Sequence, residues 1–198
     1  MCPLFLFVFR CLAEARQRKQ MRSYDGSMHR VHLLTTGGTM EKRYVEQAGS
    51  MENTIPQIRR ALALLRLPET EVTVEELMNK DSLYMTPEDR EVIALRALAA
   101  ASEGIPVLVT HGTDTMVETG KVVAEVVQNH PEAAHVPIVF TGAMTPFGVE
   151  GSDAIQNLTE SLLATRLLPG GVYLVFHGDV FPMQNVFKDR ENSRFRYI

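Results

Sequence analysis

The chain has 198 residues, 45% of them hydrophobic and 22% charged, a balance that suits one soluble domain with a sizeable core and excludes disordered, fibrous and disulfide-rich classes. The formal charge of −4 is uneven: residues 1–30 carry +4 and leave −8 on the remainder, so the body is a poor binder of nucleic acid. No apolar run approaches the length needed to span a bilayer, and no membrane partner is expected.

Residues 4–9 are apolar (Leu-Phe-Leu-Phe-Val-Phe), but no positive charge precedes them and no small-residue cleavage site follows, unlike a secretion signal. The Arg-rich run after them reads as an organellar address, a membrane-surface helix or, more plainly, an unstructured extension, with Met21 and Met28 as later starts. Residues 1–29 are therefore set apart from a domain spanning 30–198. Both cysteines, Cys2 and Cys11, fall in the extension, so no disulfide staples the body and no Cys-rich zinc pattern is possible. That usage is compatible with a reducing compartment, and the cytoplasm is the expected location.

From Arg30 onward, short β-rich runs alternate with segments of helical period. Strands are expected at 31–35, 71–77, 106–110, 137–141 and 172–177, with Val107-Leu-Val and Ile138-Val-Phe apolar enough to be central. Helices are expected at 54–66, 86–102, 115–129 and 152–167, where apolar residues recur three and four apart, as in Ile58, Leu62 and Leu65. Thr86-Pro87-Glu88-Asp89 supplies one of them with an N-cap, a proline in the first turn and acids near the positive end of the helix dipole. The alternation specifies an α/β fold: a doubly wound, mostly parallel sheet with helices on both faces. No internal repeat, low-complexity tract or interdomain linker interrupts it.

In such a sheet, reactive groups belong beyond the carboxyl ends of the strands, where loops converge and helix N-termini point. Five loops satisfy this: Thr35-Thr36-Gly37-Gly38-Thr39, Lys80-Asp81-Ser82, His111-Gly112-Thr113-Asp114-Thr115, Gly142-Ala143-Met144 and His177-Gly178-Asp179. Each has a plainer reading. Gly37-Gly38 could merely turn the chain with positive φ, Thr39 could cap that turn, and Asp114 could cap a helix. Lys188 follows two apolar residues, where desolvation would favour the uncharged amine, or it is a solvated charge guarding an edge strand. The Lys-Ser/Thr of a P-loop and the Gly-x-Gly-x-x-Gly of a dinucleotide site are missing, so no cofactor is expected. The six histidines form no metal pair on a helix, so no metal is expected.

Together, Thr36-Gly37-Gly38-Thr39 and His111-Gly112-Thr113-Asp114-Thr115-Met116, each directly after a strand, resemble the two signature motifs of the bacterial-type L-asparaginases. The resemblance continues through Asp81-Ser82, Met85-Thr86-Pro87-Glu88-Asp89, Thr141-Gly142-Ala143-Met144 with Pro146, Ser152-Asp153 with Asn157, and Lys188, covering about residues 30 to 190. It implies hydrolysis of the side-chain amide of L-asparagine, or of a related small amide, through a threonine acyl-enzyme. By the same resemblance, Thr39 is the primary nucleophile, Thr113, Lys188 and Asp114 form a hydroxyl, base and carboxylate set, and Ser82 and Asp114 grip the α-carboxylate and α-ammonium. Asp81, Gly38 and Gly112 complete the substrate pocket, the Thr113 N–H faces the oxyanion, and the Ala143 carbonyl accepts from the leaving amide. Tyr44 stands for the family's loop tyrosine, although it lies nearer Thr39 than that residue usually does. A threonine hydroxyl is barely ionised at neutral pH, which is why a base must stand within hydrogen-bond reach.

The two-domain members of that family are much longer, and the run from Lys188 to Phe195 resembles the ending of short, single-domain asparaginase-like proteins. A homo-oligomer is expected, because an open site gains from closure. A second class of function remains open: a sensor or assembly module that binds an amino acid or amide without turning it over. Lys188 argues for the enzyme, since binding alone would not require it.

Overall fold

The computed structural model describes residues 28–198. The expected extension therefore lies, except for Met28 and His29, outside the described residues. The sheet has six strands in the order β4-β1-β5-β6-β7-β8. They are β1 (His29–Gly37), β4 (Thr70–Lys80), β5 (Val107–Thr110), β6 (Pro137–Thr141), β7 (Gly171–Phe176) and β8 (Asp179–Pro182). The first five are mutually parallel and β8 runs antiparallel along β7, which confirms the doubly wound, mostly parallel α/β class. Strand order reverses at β1, so the crevice between the loops after β1 and β5 is where such folds bind ligands.

Period-two alternation sorts the central strands into two cores. Val107, Val109, Ile138 and Phe140 face one way, against Ile93, Ala94 and Ala97 of α2 (Pro87–Ser102) and Met116 and Val123 of α3 (Met116–Gln128). Leu33, Leu108, Val139 and Val175 face the other, against Ile58 and Ala61 of α1 (Ile58–Ala63) and Ala154, Leu158 and Leu162 of α4 (Ala154–Leu167). Helix α2 starts with a full capping box: Thr86 accepts from the Asp89 N–H, and Asp89 accepts from the Thr86 N–H.

The structure revises some boundaries. Strand β1 begins at His29, whose N–H donates to Glu69 O at 2.9 Å, rather than at residue 31. Helix α1 is six residues, much shorter than the expected 54–66: the Gln57 and Ile58 N–H groups end on the Glu41 carboxylate, and the far end closes at Leu64, whose N–H donates to Ala61 O. Two antiparallel hairpins were not expected: β2 (Lys42–Val45) with β3 (Ser50–Asn53), and β9 (Val186–Asp189) with β10 (Arg194–Tyr197). Strand β8 turns back on β7 through His177-Gly178, both at positive φ (51° and 85°), the two-residue turn whose twist suits a hairpin. Among the described residues, no helix is long and apolar enough to cross a membrane.

Phe140 is fully buried at the centre of the sheet. Phe140→Ala is expected to cost about 3–5 kcal/mol through lost burial and the cavity left behind, read as a lower denaturant midpoint at unchanged slope in chemical unfolding.

Candidate active site

The loops after β1 and β5 meet backbone to backbone. Gly38 lies directly on Gly112, and a methyl group on Gly38 would overlap the Cα and N of Gly112. Gly38 is also at φ +81°, a region that disfavours any side chain. Gly38 thus serves packing and turning at once, and Gly112 serves packing. The contact sets the loop segments that carry Thr39 and Thr113 side by side. Thr36 reinforces it by donating its hydroxyl to Thr110 O at 2.9 Å.

Beneath this contact lies Ser82, 1% exposed, on the 3-10 turn after β4. Its hydroxyl packs against Gly112 and has no hydrogen-bond partner among the described residues. Asp81, beside it, is committed elsewhere: it accepts from Lys42 Nζ at 2.7 Å and from the Leu83 N–H at 3.0 Å. Burial opposes its ionisation, but the Lys42 and Leu83 hydrogen bonds prevail and hold the carboxyl below its usual value.

Lys188 arrives from the β9–β10 hairpin. That hairpin is seated by Met183, which packs where Gly120 of α3 lacks a side chain, and by Phe195, whose ring meets Phe176 edge-on with centroids 5.0 Å apart. Lys188 Nζ donates to Thr113 Oγ1 at 2.8 Å and to Asp114 Oδ1 at 2.9 Å, and its side chain is only 15% exposed. It is therefore no solvated edge charge, and the Asp114 carboxylate offsets its desolvation. Asp114 is likewise no helix cap, since the N-cap position of α3 belongs to Thr115. Burial would raise the Asp114 pKa; the Lys188 hydrogen bond and charge, followed by those of Arg190, outweigh it and hold the group ionised.

Two anchors were not read from the sequence. Glu41, fully buried two residues after Thr39, accepts from the Thr35 hydroxyl at 2.8 Å and from the Gln57 and Ile58 N–H groups. Burial raises its pKa against the pull of those hydrogen bonds. A lone glutamate in Thr39-Met40-Glu41 gave no signal of this. Arg190, the first residue of the turn after β9, donates to Asp114 Oδ1 at 2.8 Å and to Asp114 O at 3.2 Å.

The loop after β6 is held by α4. Asp153 accepts from the Met144 and Thr145 N–H groups, both at 2.9 Å, and from His177 Nε2 at 2.8 Å, while Asn157 donates to Gly142 O at 3.0 Å. This fixes the backbone around fully buried Ala143. Tyr44 lies apart from the Thr113, Asp114 and Lys188 set. It sits on the β2–β3 hairpin, 62% exposed, and makes no hydrogen bond to Thr113, Asp114 or Lys188.

His111 is fully buried, with Nδ1 2.8 Å from Gly112 O, and burial pushes its pKa down to about 4. The fold keeps it neutral while the unfolded chain takes up a proton below the ordinary value of 6.5. Stability should therefore fall as pH drops from 6.5 towards 4, by roughly 3 kcal/mol from this group. Urea midpoints across that window should show a shallower pH dependence in His111→Asn. Gly38→Ala should destabilise the chain by about 2 kcal/mol or more through overlap and backbone strain; a wild-type melting temperature would contradict the close approach.

Comparison with known proteins agrees with this geometry. The L-asparaginase of Thermococcus kodakarensis is 29% identical over 144 residues, 73% of this chain and 43% of that protein. A glutamyl-tRNA(Gln) amidotransferase subunit of Metallosphaera sedula is 31% identical over 178 residues, 85% of this chain and 38% of that protein. The solved structure of the thermostable L-asparaginase from Thermococcus kodakarensis superposes with a TM-score of 0.73 at 26% identity, covering 85% of this chain and 51% of that one. The chain thus spans less than half the length of these curated relatives and about half of the solved structure. Residues 30–195 match the family model described as Asparaginase, N-terminal, and on that match, which takes in both glycine loops, Ser82 and Lys188, the chain belongs to the asparaginase family.

Proposed function

We propose that this chain is an amidohydrolase that cleaves a primary carboxamide of the L-asparagine side-chain type to the acid and ammonia through a threonine ester. The observation that carries the reading is Lys188 Nζ at 2.8 Å from Thr113 Oγ1 and 2.9 Å from Asp114 Oδ1, in a half-buried setting. A simple binding site has no need of an amine on a hydroxyl.

In this reading the Thr39 hydroxyl oxygen bonds to the amide carbon while its proton passes to a base. Lys188, with Nζ 2.8 Å from Thr113 Oγ1, serves that need through Thr113. The carbon–nitrogen bond then breaks, and the nitrogen takes up the proton and leaves as ammonia. Water adds to the resulting ester, the threonine recovers its proton, and the acid departs. The Thr113 N–H faces the oxyanion, and the Ala143 carbonyl accepts from the amide nitrogen. A positioned base contributes about 10² to 10⁴-fold and one oxyanion donor about 3 kcal/mol. The family match and the relative named L-asparaginase support this reading. The relatives named as glutamyl-tRNA(Gln) amidotransferase subunits support the same bond cleavage, because moving an amide nitrogen also requires that bond to break. L-glutamine therefore belongs beside L-asparagine as a test substrate. The reading includes a homo-oligomer, checked by light scattering, and a cytoplasmic setting.

Purified chain should release ammonia from a panel of small amides. Thr39→Ala and Lys188→Met should each lower kcat at least 10²-fold while the unfolding midpoint stays near that of the parent chain. Saturable binding with no turnover across the panel would instead favour the sensor reading.

A further inference from the structure

The turn between β7 and β8 holds a side chain that the turn itself does not ask for. His177 and Ser193 are the two residues other than glycine at positive φ among the described residues, and His177 stands at φ 51°. In a two-residue hairpin turn, asparagine or glycine suits that backbone better. A side chain kept in a disfavoured conformation points to a use for it. The imidazole has one: Nε2 lies 2.8 Å from Asp153 Oδ2, with the ring against Phe176 at a centroid distance of 4.4 Å. Burial opposes the ionisation of Asp153, but the Met144 and Thr145 N–H groups, and after them His177, prevail and hold the carboxyl below its usual value. An ionised carboxylate only accepts, so Nε2 is the donor.

Asp153 joins three elements. It precedes α4, accepts from the Met144 and Thr145 N–H groups of the loop after β6, both at 2.9 Å, and accepts from Asn157 Nδ2 at 2.9 Å. Asn157 belongs to the helix that Asp153 begins, and Met144 and Thr145 belong to the loop being held. Among the described residues, His177 is therefore the donor that ties the carboxylate to the end of β7. The loop so held presses on the rest of the site: a side chain on Gly142 would overlap His111 O, the carbonyl just before Gly112. Asparagine at this position would satisfy the turn, but its shorter amide would stop short of Asp153.

We propose that His177 is a positioning residue for amide cleavage: its Nε2–H fixes Asp153, and Asp153 fixes the loop at 142–145 so that the Ala143 carbonyl stands where the nitrogen departs. The proposal rests on the amidohydrolase reading. Ser82 and Asp114, which that reading gives to the rest of the substrate, lie on other loops, so the effect falls on turnover rather than on binding.

Glycine is the deletion that this backbone favours, because it adopts positive φ without strain. His177→Gly should therefore unfold close to the parent midpoint, yet lower kcat for ammonia release from L-asparagine about tenfold, with KM within about threefold of the parent value. His177→Gln, whose amide nitrogen can stand in for Nε2, should recover most of the lost kcat. Amide hydrogen exchange followed by NMR reads the same clamp without turnover. Met144 and Thr145 should exchange about tenfold faster in His177→Gly and near the parent rate in His177→Gln, while Val109 in the central strand keeps its rate. A histidine that served the turn alone would leave kcat in the glycine variant at the parent value. That result, a KM that rises as far as kcat falls, no recovery with glutamine, or unchanged exchange at Met144 and Thr145 would overturn the proposal. A parent chain that cleaves no amide would sink the amidohydrolase reading; faster exchange in His177→Gly would then still uphold the clamp, and parent-like exchange would overturn it.

Discussion

The site depends on two stretches of backbone touching with nothing between them. Gly38 and Gly112 end different crossovers of the sheet, and their lack of side chains lets the loops after β1 and β5 close to van der Waals distance at the point where strand order reverses. Any larger residue at either place would hold the loops apart. The supporting bonds respect this constraint. Thr36 ties one loop to the end of the neighbouring strand, and Ser82 fills the space under Gly112. Glu41 fastens the turn carrying Thr39 to the start of α1. A buried carboxylate is costly unless its hydrogen bonds are met, and three donors meet these.

Charge is laid over this frame by a different part of the chain. The helices and parallel strands supply hydroxyls, backbone groups and carboxylates; the cations at Asp114 come from one antiparallel hairpin near the C-terminus. Neither half is chemically sufficient. A threonine hydroxyl without an amine is a poor nucleophile, and an amine without the carboxylate would sit half-buried with its charge uncompensated.

Much of this was legible in the sequence, for identifiable reasons. Central strands buried on both faces read as apolar runs, and Pro137–Thr141 has the very bounds expected. Thr86-Pro87-Glu88-Asp89 announced its helix because capping is local chemistry. The hairpins were opaque because they lie outside the α/β alternation and their pairing is set by distant packing: Met183 against Gly120, Phe195 against Phe176. The turn between β7 and β8 was hidden since histidine, unlike asparagine, does not advertise positive φ. Within the site, Lys188 was visible through its resemblance to the family's lysine, whereas Arg190 and Glu41 were not visible. Their roles arise from where neighbouring elements place a carboxylate or a helix start, and no local pattern encodes that. Tyr44 was nominated by resemblance alone, and its side chain is largely exposed.

The hairpin from β9 to β10 carries a further consequence. Lys188 and Arg190 share one short ribbon, and that ribbon is pinned at only a few points, among them Met183 on α3 and Phe195 on Phe176. The amine and the guanidinium are therefore mechanically yoked: whatever loosens the ribbon withdraws both cations from the Asp114 carboxylate together.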